Sequence, residues 1–131
     1  MDPHKDLLEK LLKIEAPSRL PEMLEDLKKY SWDCNALVTM ERQDIVHLLN
    51  LLLQDKLTDE DVYSWADALE IREDIAWPDE EEEAIILSLI ISKIATPELE
   101  GKITKIKALA LIKCLSLPLP MEKDIHAAYA E

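Results

Sequence analysis

Apolar positions recur at helical spacing along almost the whole chain. Leu7, Leu8, Leu11 and Leu12 fall at i, i+1, i+4 and i+5 behind Asp2-Pro3, an N-cap followed by proline at the first helical position. Pro17 is expected to end that helix. A second helix is expected after Pro21, with Met23, Leu24, Leu27 and Tyr30 inward, and 31–37 reads as a connection. Thr39 reads as the cap of a long helix over 40–54. There Ile45, Val46, Leu48, Leu49, Leu52 and Leu53 cover a broad apolar face, the mark of a central helix. Thr58-Asp59-Glu60-Asp61 is a strong helix start: the threonine can cap, and the acids meet the positive end of the helix dipole. Val62, Trp65, Ala66 and Leu69 form its expected buried stripe, and 71–77 links it to the next element.

Pro78-Asp79 is expected to open a further helix, with Glu80, Glu81, Glu82 and Glu83 in its first turn and Ile85, Ile86, Leu89, Ile90 and Ile94 behind them. The run is β-branched and strand-like in composition, but its length and acidic start favour a buried helix. Thr96-Pro97-Glu98 starts a short turn that Gly101 can terminate. Thr104 caps the last clear helix, through Ile106, Leu109, Ala110 and Ile112. Leu117-Pro118-Leu119-Pro120 cannot lie inside a helix, so 117–131 is expected to be a Pro-punctuated tail or a short final helix. The pattern predicts one all-α domain over 1–131, a compact bundle of about six helices. Its helix pairs, 40–54 with 58–70 and 79–95 with 104–116, can stack in a solenoid-like way.

Composition narrows the function. The chain has 131 residues, enough for one domain with a core but not comfortably for two, and only one is glycine. A single glycine cannot supply a phosphate-cradling loop, a dinucleotide fingerprint or a series of tight hairpin turns. Cys34 and Cys114 show neither a CxxC nor a Cys/His metal spacing, which predicts a reduced chain rather than a disulfide scaffold. No basic segment followed by an apolar run opens the chain, and no apolar run approaches a membrane span. The expected location is the cytoplasm.

The net charge is −13. Residues 41–83 carry 15 acids and 3 bases, almost the whole imbalance. Nucleic acid and anionic membranes repel such a surface, so basic proteins and metal cations are better candidates, and a basic protein is the expected partner. The candidate contacts are Asp59, Glu60, Asp67, Glu70, Glu73, Asp74, Asp79, Glu80, Glu81, Glu82 and Glu83, which can pair with lysines and arginines. The run 79–83 also has a plain structural reading, since acids stabilise a helix N-terminus. Tyr63 is either an exposed anchor among acids or a residue tucked under the neighbouring helix. Trp77, at a loop corner, is balanced in the same way, whereas Trp65 reads as core.

Catalytic and metal chemistry find little support. Asp59-Glu60-Asp61 lacks the glycine of an EF-hand loop, and His4, His47 and His126 show no HExxH or ExxH spacing. Cys34 can be set beside His47 on paper only, and none of the 28 acids is marked as a buried acid/base pair. No catalytic residue, metal ligand or cofactor is therefore expected.

The segment Leu57-Thr58-Asp59-Glu60-Asp61-Val62-Tyr63-Ser64-Trp65-Ala66 resembles small helical bacterial immunity proteins of contact-dependent growth inhibition and related polymorphic toxin systems. In those proteins a leucine-rich helix is followed by a Leu-Thr/Ser cap and an acidic helix carrying a Trp-Ala pair. The stretch Ala95-Thr96-Pro97-Glu98-Leu99-Glu100-Gly101-Lys102-Ile103-Thr104 is similar to a helix junction of the same group, and the likeness spans roughly residues 40–115. It implies a non-enzymatic cytosolic inhibitor that binds one cognate toxin domain tightly. Charge supports the same expectation separately, because a nuclease groove is positive and steers an acidic inhibitor. The rival readings are an acidic nucleic-acid mimic, a helical adaptor for a basic host protein, a small helical enzyme or metal carrier, and a plain scaffold subunit.

Overall fold

A computed structural model describes residues 2–131. Helix α1 (Pro3–Lys13) starts where its cap residues place it: the Asp2 carboxylate accepts from the backbone N–H of His4 at 3.0 Å and of Lys5 at 3.3 Å. It stops before Pro17, because Ile14 turns into the left-handed region at φ 41° while its N–H still bonds to Lys10. A branched residue is strained there, and its near-complete burial holds it in place. A 3-10 turn, Pro17–Arg19, leads into α2 (Leu20–Leu27).

The next segment departs from the sequence expectation. Thr39 does not cap a helix; it lies in β1 (Val38–Thr39), which pairs in parallel with β2 (Ile75–Ala76). Helix α3 (Arg42–Leu53) begins after Glu41 instead, where the Asp44 carboxylate accepts from the Glu41 N–H at 2.9 Å. The pairing is extended on both sides: the Glu73 N–H donates to Trp32, Leu37 to Asp74, and Met40 to Ala76, each at 2.8 Å. A crossover through α3 and α4 (Asp59–Leu69) therefore closes on a short parallel seam.

Helix α4 follows its signal closely. Thr58 Oγ1 accepts from the Asp61 N–H, the Asp61 carboxylate accepts from the Thr58 N–H, and Val62, Trp65, Ala66 and Leu69 are buried. Helix α5 (Glu81–Ala95) opens at Glu81 rather than at Pro78-Asp79. It packs against both α4 and α8 (Glu122–Tyr129), which explains its apolar surface on more than one side. Gly101 ends α6 (Pro97–Glu100) at φ 86°, a conformation glycine adopts without strain. Thr104 caps α7 (Lys105–Leu115), where the inward face is Lys107, Ala108, Leu111 and Leu115 while Ile106 and Leu109 are exposed. The segment after Pro120 is a helix, not a tail.

Eight α-helices thus enclose one core among the described residues, with Leu8, Leu11, Ile45, Leu48, Leu49, Val62, Trp65, Leu87, Ile90 and Leu111 fully shielded from solvent. Full burial of such a side chain contributes about 1.5–3 kcal/mol relative to exposure. The main packing partners are α3 with α7, α4 with α5, and α7 with α8. Consecutive helices α4 and α5, and α7 and α8, thus pack side by side, while α3 against α7 joins distant parts of the chain; the expected pairs of α3 with α4 and α5 with α7 are not the main ones. Among the described residues no helix is long and apolar enough to cross a membrane.

Candidate functional site

The N-terminus of α5, the corner before it and the loop leading into α8 frame an open groove. Arg42, Glu80, Glu82, Glu83, Ile85, Leu119, Met121 and Glu122 line one part of it. Around Ile85 and Glu122 the surface continues to Glu70, Trp77, Leu89 and Ser92. The loop Leu117-Pro118-Leu119-Pro120 cannot become helical, so it holds Leu119 and Met121 outward beside Ile85; the three are 74%, 56% and 41% exposed. Glu70, Glu80, Glu82 and Glu122 border these apolar groups, and no base lies within ion-pairing distance of any of them among the described residues. Trp77 is half-buried, with part of its ring in the groove and part on the core.

The candidate acids are not equivalent. Glu83 is engaged within the fold: Arg42 grips it with two bonds, Nε to Oε2 at 3.0 Å and Nη2 to Oε1 at 2.5 Å. The guanidinium holds the Glu83 carboxyl below its usual range, and Glu83 in turn raises Arg42. Arg42 Nη1 also donates to the carbonyls of Leu115 and Leu117, stitching the end of α7 to α5. Asp74 differs from the other acids: its side chain is fully buried and bonded by Arg72 and His4, so it does not face the protein surface.

The other candidates fall in separate places. Tyr63 and Asp67 line a shallow depression between α2 and α4 that also holds Lys28 and Arg72, so it is not purely acidic. The phenol of Tyr63 is raised above its usual value, first by Asp67 and then by slight desolvation, Glu98 and Glu60. Glu60, Asp67, Glu73, Asp79 and Glu81 are exposed, and Asp59 is half-buried in the first turn of α4. Sequence reasoning missed Ile85, Leu119, Met121 and Glu122 as groove residues. The Leu-Pro-Leu-Pro run was the available signal, since a non-helical apolar segment between two helices must either be covered or face solvent.

A second constellation links segments far apart in the chain. His4 Nε2–H donates to Asp74 Oδ2 at 2.8 Å, and the imidazole stacks on Tyr30 with ring centroids 4.6 Å apart. Arg72 donates from Nε to Oδ1 at 3.0 Å and from Nη2 to Oδ2 at 2.8 Å. The Cys34 thiol joins this group: one donor atom each from His4, Cys34 and Asp74 lie within 4.8 Å of one another. Cys34 is thus beside His4, while His47 Nε2–H donates instead to the Ile14 carbonyl at 3.2 Å.

No protein-family model matches the chain, and neither does a curated protein or a solved structure.

Proposed function

We propose that this protein is an immunity-type inhibitor that neutralises a basic toxin domain by direct binding through the groove beside α5, acting in the cytoplasm and without catalysis. One observation carries the reading: exposed Ile85, Leu119 and Met121 sit together inside a border of four carboxylates that the fold leaves without basic partners. Apolar groups that can be desolvated supply affinity, and surrounding charge supplies steering and selectivity. The net charge of −13 extends the attraction to longer range. The resemblance of 57–66 and 95–104 to immunity proteins supports the choice of a toxin over another basic protein.

The test is neutralisation of the C-terminal domain encoded by the gene immediately upstream. That domain is expected to arrest growth when expressed alone, and co-expression of this protein is expected to restore it. A variant with Glu80→Lys, Glu82→Lys and Glu122→Lys should fold and fail to protect. An upstream product without toxicity, or protection undiminished by the triple reversal, would overturn the assignment; binding to a chromosomal DNA-binding protein instead would favour a nucleic-acid mimic.

A further inference from the structure

We propose that His4, Cys34 and Asp74 form a binding site for a divalent transition-metal ion of zinc type, with the fourth position left to water. The three side chains come from α1, from the loop before β1 and from the residue before β2, and they converge within 4.8 Å. Imidazole, thiolate and carboxylate are the donor set that zinc takes in tetrahedral sites, whereas magnesium and calcium require oxygen ligands.

The distances are close to what such an ion needs. Metal–nitrogen and metal–oxygen bonds of about 2.1 Å at a tetrahedral angle place those two ligand atoms about 3.4 Å apart, and a bond of about 2.3 Å to sulfur places it about 3.6 Å from each. His4 Nε2 and Asp74 Oδ2 are now 2.8 Å apart, so they need to open by about 0.6 Å. The thiol closes in by up to about 1.2 Å from a loop position, where backbone adjustment is easy. The ion takes the place of the N–H between His4 Nε2 and Asp74, the imidazole carrying its proton on Nδ1 instead, and the thiol proton is released to solvent.

The surroundings support the ligands. Arg72 Nε remains on Asp74 Oδ1 while Oδ2 turns to the metal, so the carboxylate keeps an orienting partner. The Tyr30 ring, 4.6 Å from the imidazole and only 10° from parallel, fixes the plane of His4. Thiolate and carboxylate offset the two charges of the ion, so with Arg72 the cluster carries one net positive charge, which the chain's overall charge of −13 opposes at longer range. His4 is 15% exposed and Cys34 half-buried, so an ion can enter from solvent without unfolding the chain. Once bound, it would tie α1 to the β1–β2 seam through residues 30 and 40 positions apart.

The test uses Co²⁺ and Zn²⁺ salts alone on the full chain, reduced and freed of metal by chelator. One equivalent of Co²⁺ is expected to produce a thiolate-to-cobalt charge-transfer band and visible bands of tetrahedral type, which Zn²⁺ then displaces. Zn²⁺ is expected to raise Tm. Cys34→Ser should abolish the charge-transfer band, while Cys114→Ser, on α7, should leave it unchanged. His4→Asn should weaken Zn²⁺ binding by more than about tenfold. His4 and Cys34 both reach solvent, so neither variant empties the core; if Cys34→Ser does not fold, His4→Asn decides alone. Absence of the band in the unaltered chain, its survival in Cys34→Ser, or undiminished Zn²⁺ affinity in His4→Asn would each sink the site. This outcome is independent of the toxin assay, since the groove beside α5 includes none of the three ligands.

Discussion

The indole Nε1 of Trp65 donates to the carbonyl oxygen of Leu11 at 2.8 Å, inside the core. Leu11 belongs to the last turn of α1, where carbonyls have no helical N–H to accept from, so the middle of α4 supplies the cap that the end of α1 lacks. Trp65→Phe removes the donor and part of the ring while keeping an apolar side chain. It is expected to lower stability by about 1–3 kcal/mol, because a buried carbonyl is left unsatisfied and a void remains. Urea unfolding followed by far-UV circular dichroism measures this; a loss under a few tenths of a kcal/mol would show that water replaces the bond.

The buried pair of Arg72 and Asp74 calls for a double-mutant cycle. Arg72→Met leaves His4 as the only side-chain partner of a carboxylate that solvent cannot reach and is expected to cost about 3–5 kcal/mol. Arg72→Met together with Asp74→Leu should cost less than Arg72→Met alone, since no buried charge then remains uncompensated. Equal losses in the single and double variants would contradict this, and a small loss in Arg72→Met alone would mean that Asp74 relies on His4.

Acid sensitivity should trace in part to Glu83. Arg42 holds its folded-state carboxyl below the ordinary value of 4.5, so the unfolded chain takes up the proton first as pH falls. The stabilisation is present above pH 4.5 and is lost as pH drops through the folded value. Glu83→Gln is expected to lose about 1–2 kcal/mol at neutral pH and to flatten that part of the stability profile. Unfolding free energies between pH 7 and pH 3 test it, and an unchanged slope would contradict it.

Around Gly101 a small change should have a large effect. The residue sits at φ 86°, and a Cβ built there would stand 2.9 Å from Lys107 Nζ. That ammonium is not free to swing away: it donates to the Lys102 carbonyl at 3.1 Å and lies 4.4 Å from the centroid of the Tyr129 ring. Gly101→Ala is expected to cost more than about 1 kcal/mol, from the left-handed backbone and the displaced lysine together. The same corner shapes alkaline behaviour. Burial, with Glu100 adding to it, pushes the Tyr129 phenol up to about 12, so the unfolded chain ionises first near its ordinary value of 10.0. Stability should fall between those two pH values, and Tyr129→Phe should remove that fall.

Local signals in the chain were readable where one side chain acts on nearby backbone. Asp2, Thr58 and Thr104 cap the helices they precede, and Gly101 stops one, because those bonds span only a few residues. The strands β1 and β2 left no trace, since two residues cannot show a period. Helix phase was also hidden on α7: burying Lys107 instead of Ile106 depends on Tyr129 and on the Lys102 carbonyl, both contributed from elsewhere. For the same reason Asp74 and Glu83 looked like the other acids. Whether a carboxylate faces water or an arginine is decided by tertiary contacts, which also create the meeting of His4, Cys34 and Asp74.

The two halves of the proposed groove should separate kinetically against the toxin domain. Glu80, Glu82 and Glu122 stay hydrated at the rim, where charge acts on encounter rather than on the bound state. Reversing them to lysine is expected to slow association by about tenfold or more at low salt, with the effect shrinking once the Debye length falls below about 10 Å. Ile85 and Leu119 are apolar and exposed, so any gain they provide appears only after water leaves. Ile85→Ser and Leu119→Ser should leave association nearly unchanged and speed dissociation by about thirtyfold, the equivalent of about 2 kcal/mol for a central anchor. Surface plasmon resonance at two ionic strengths resolves both. If the serine variants dissociate at the unaltered rate, the apolar centre is not what the partner covers, even if the acidic rim still guides it in.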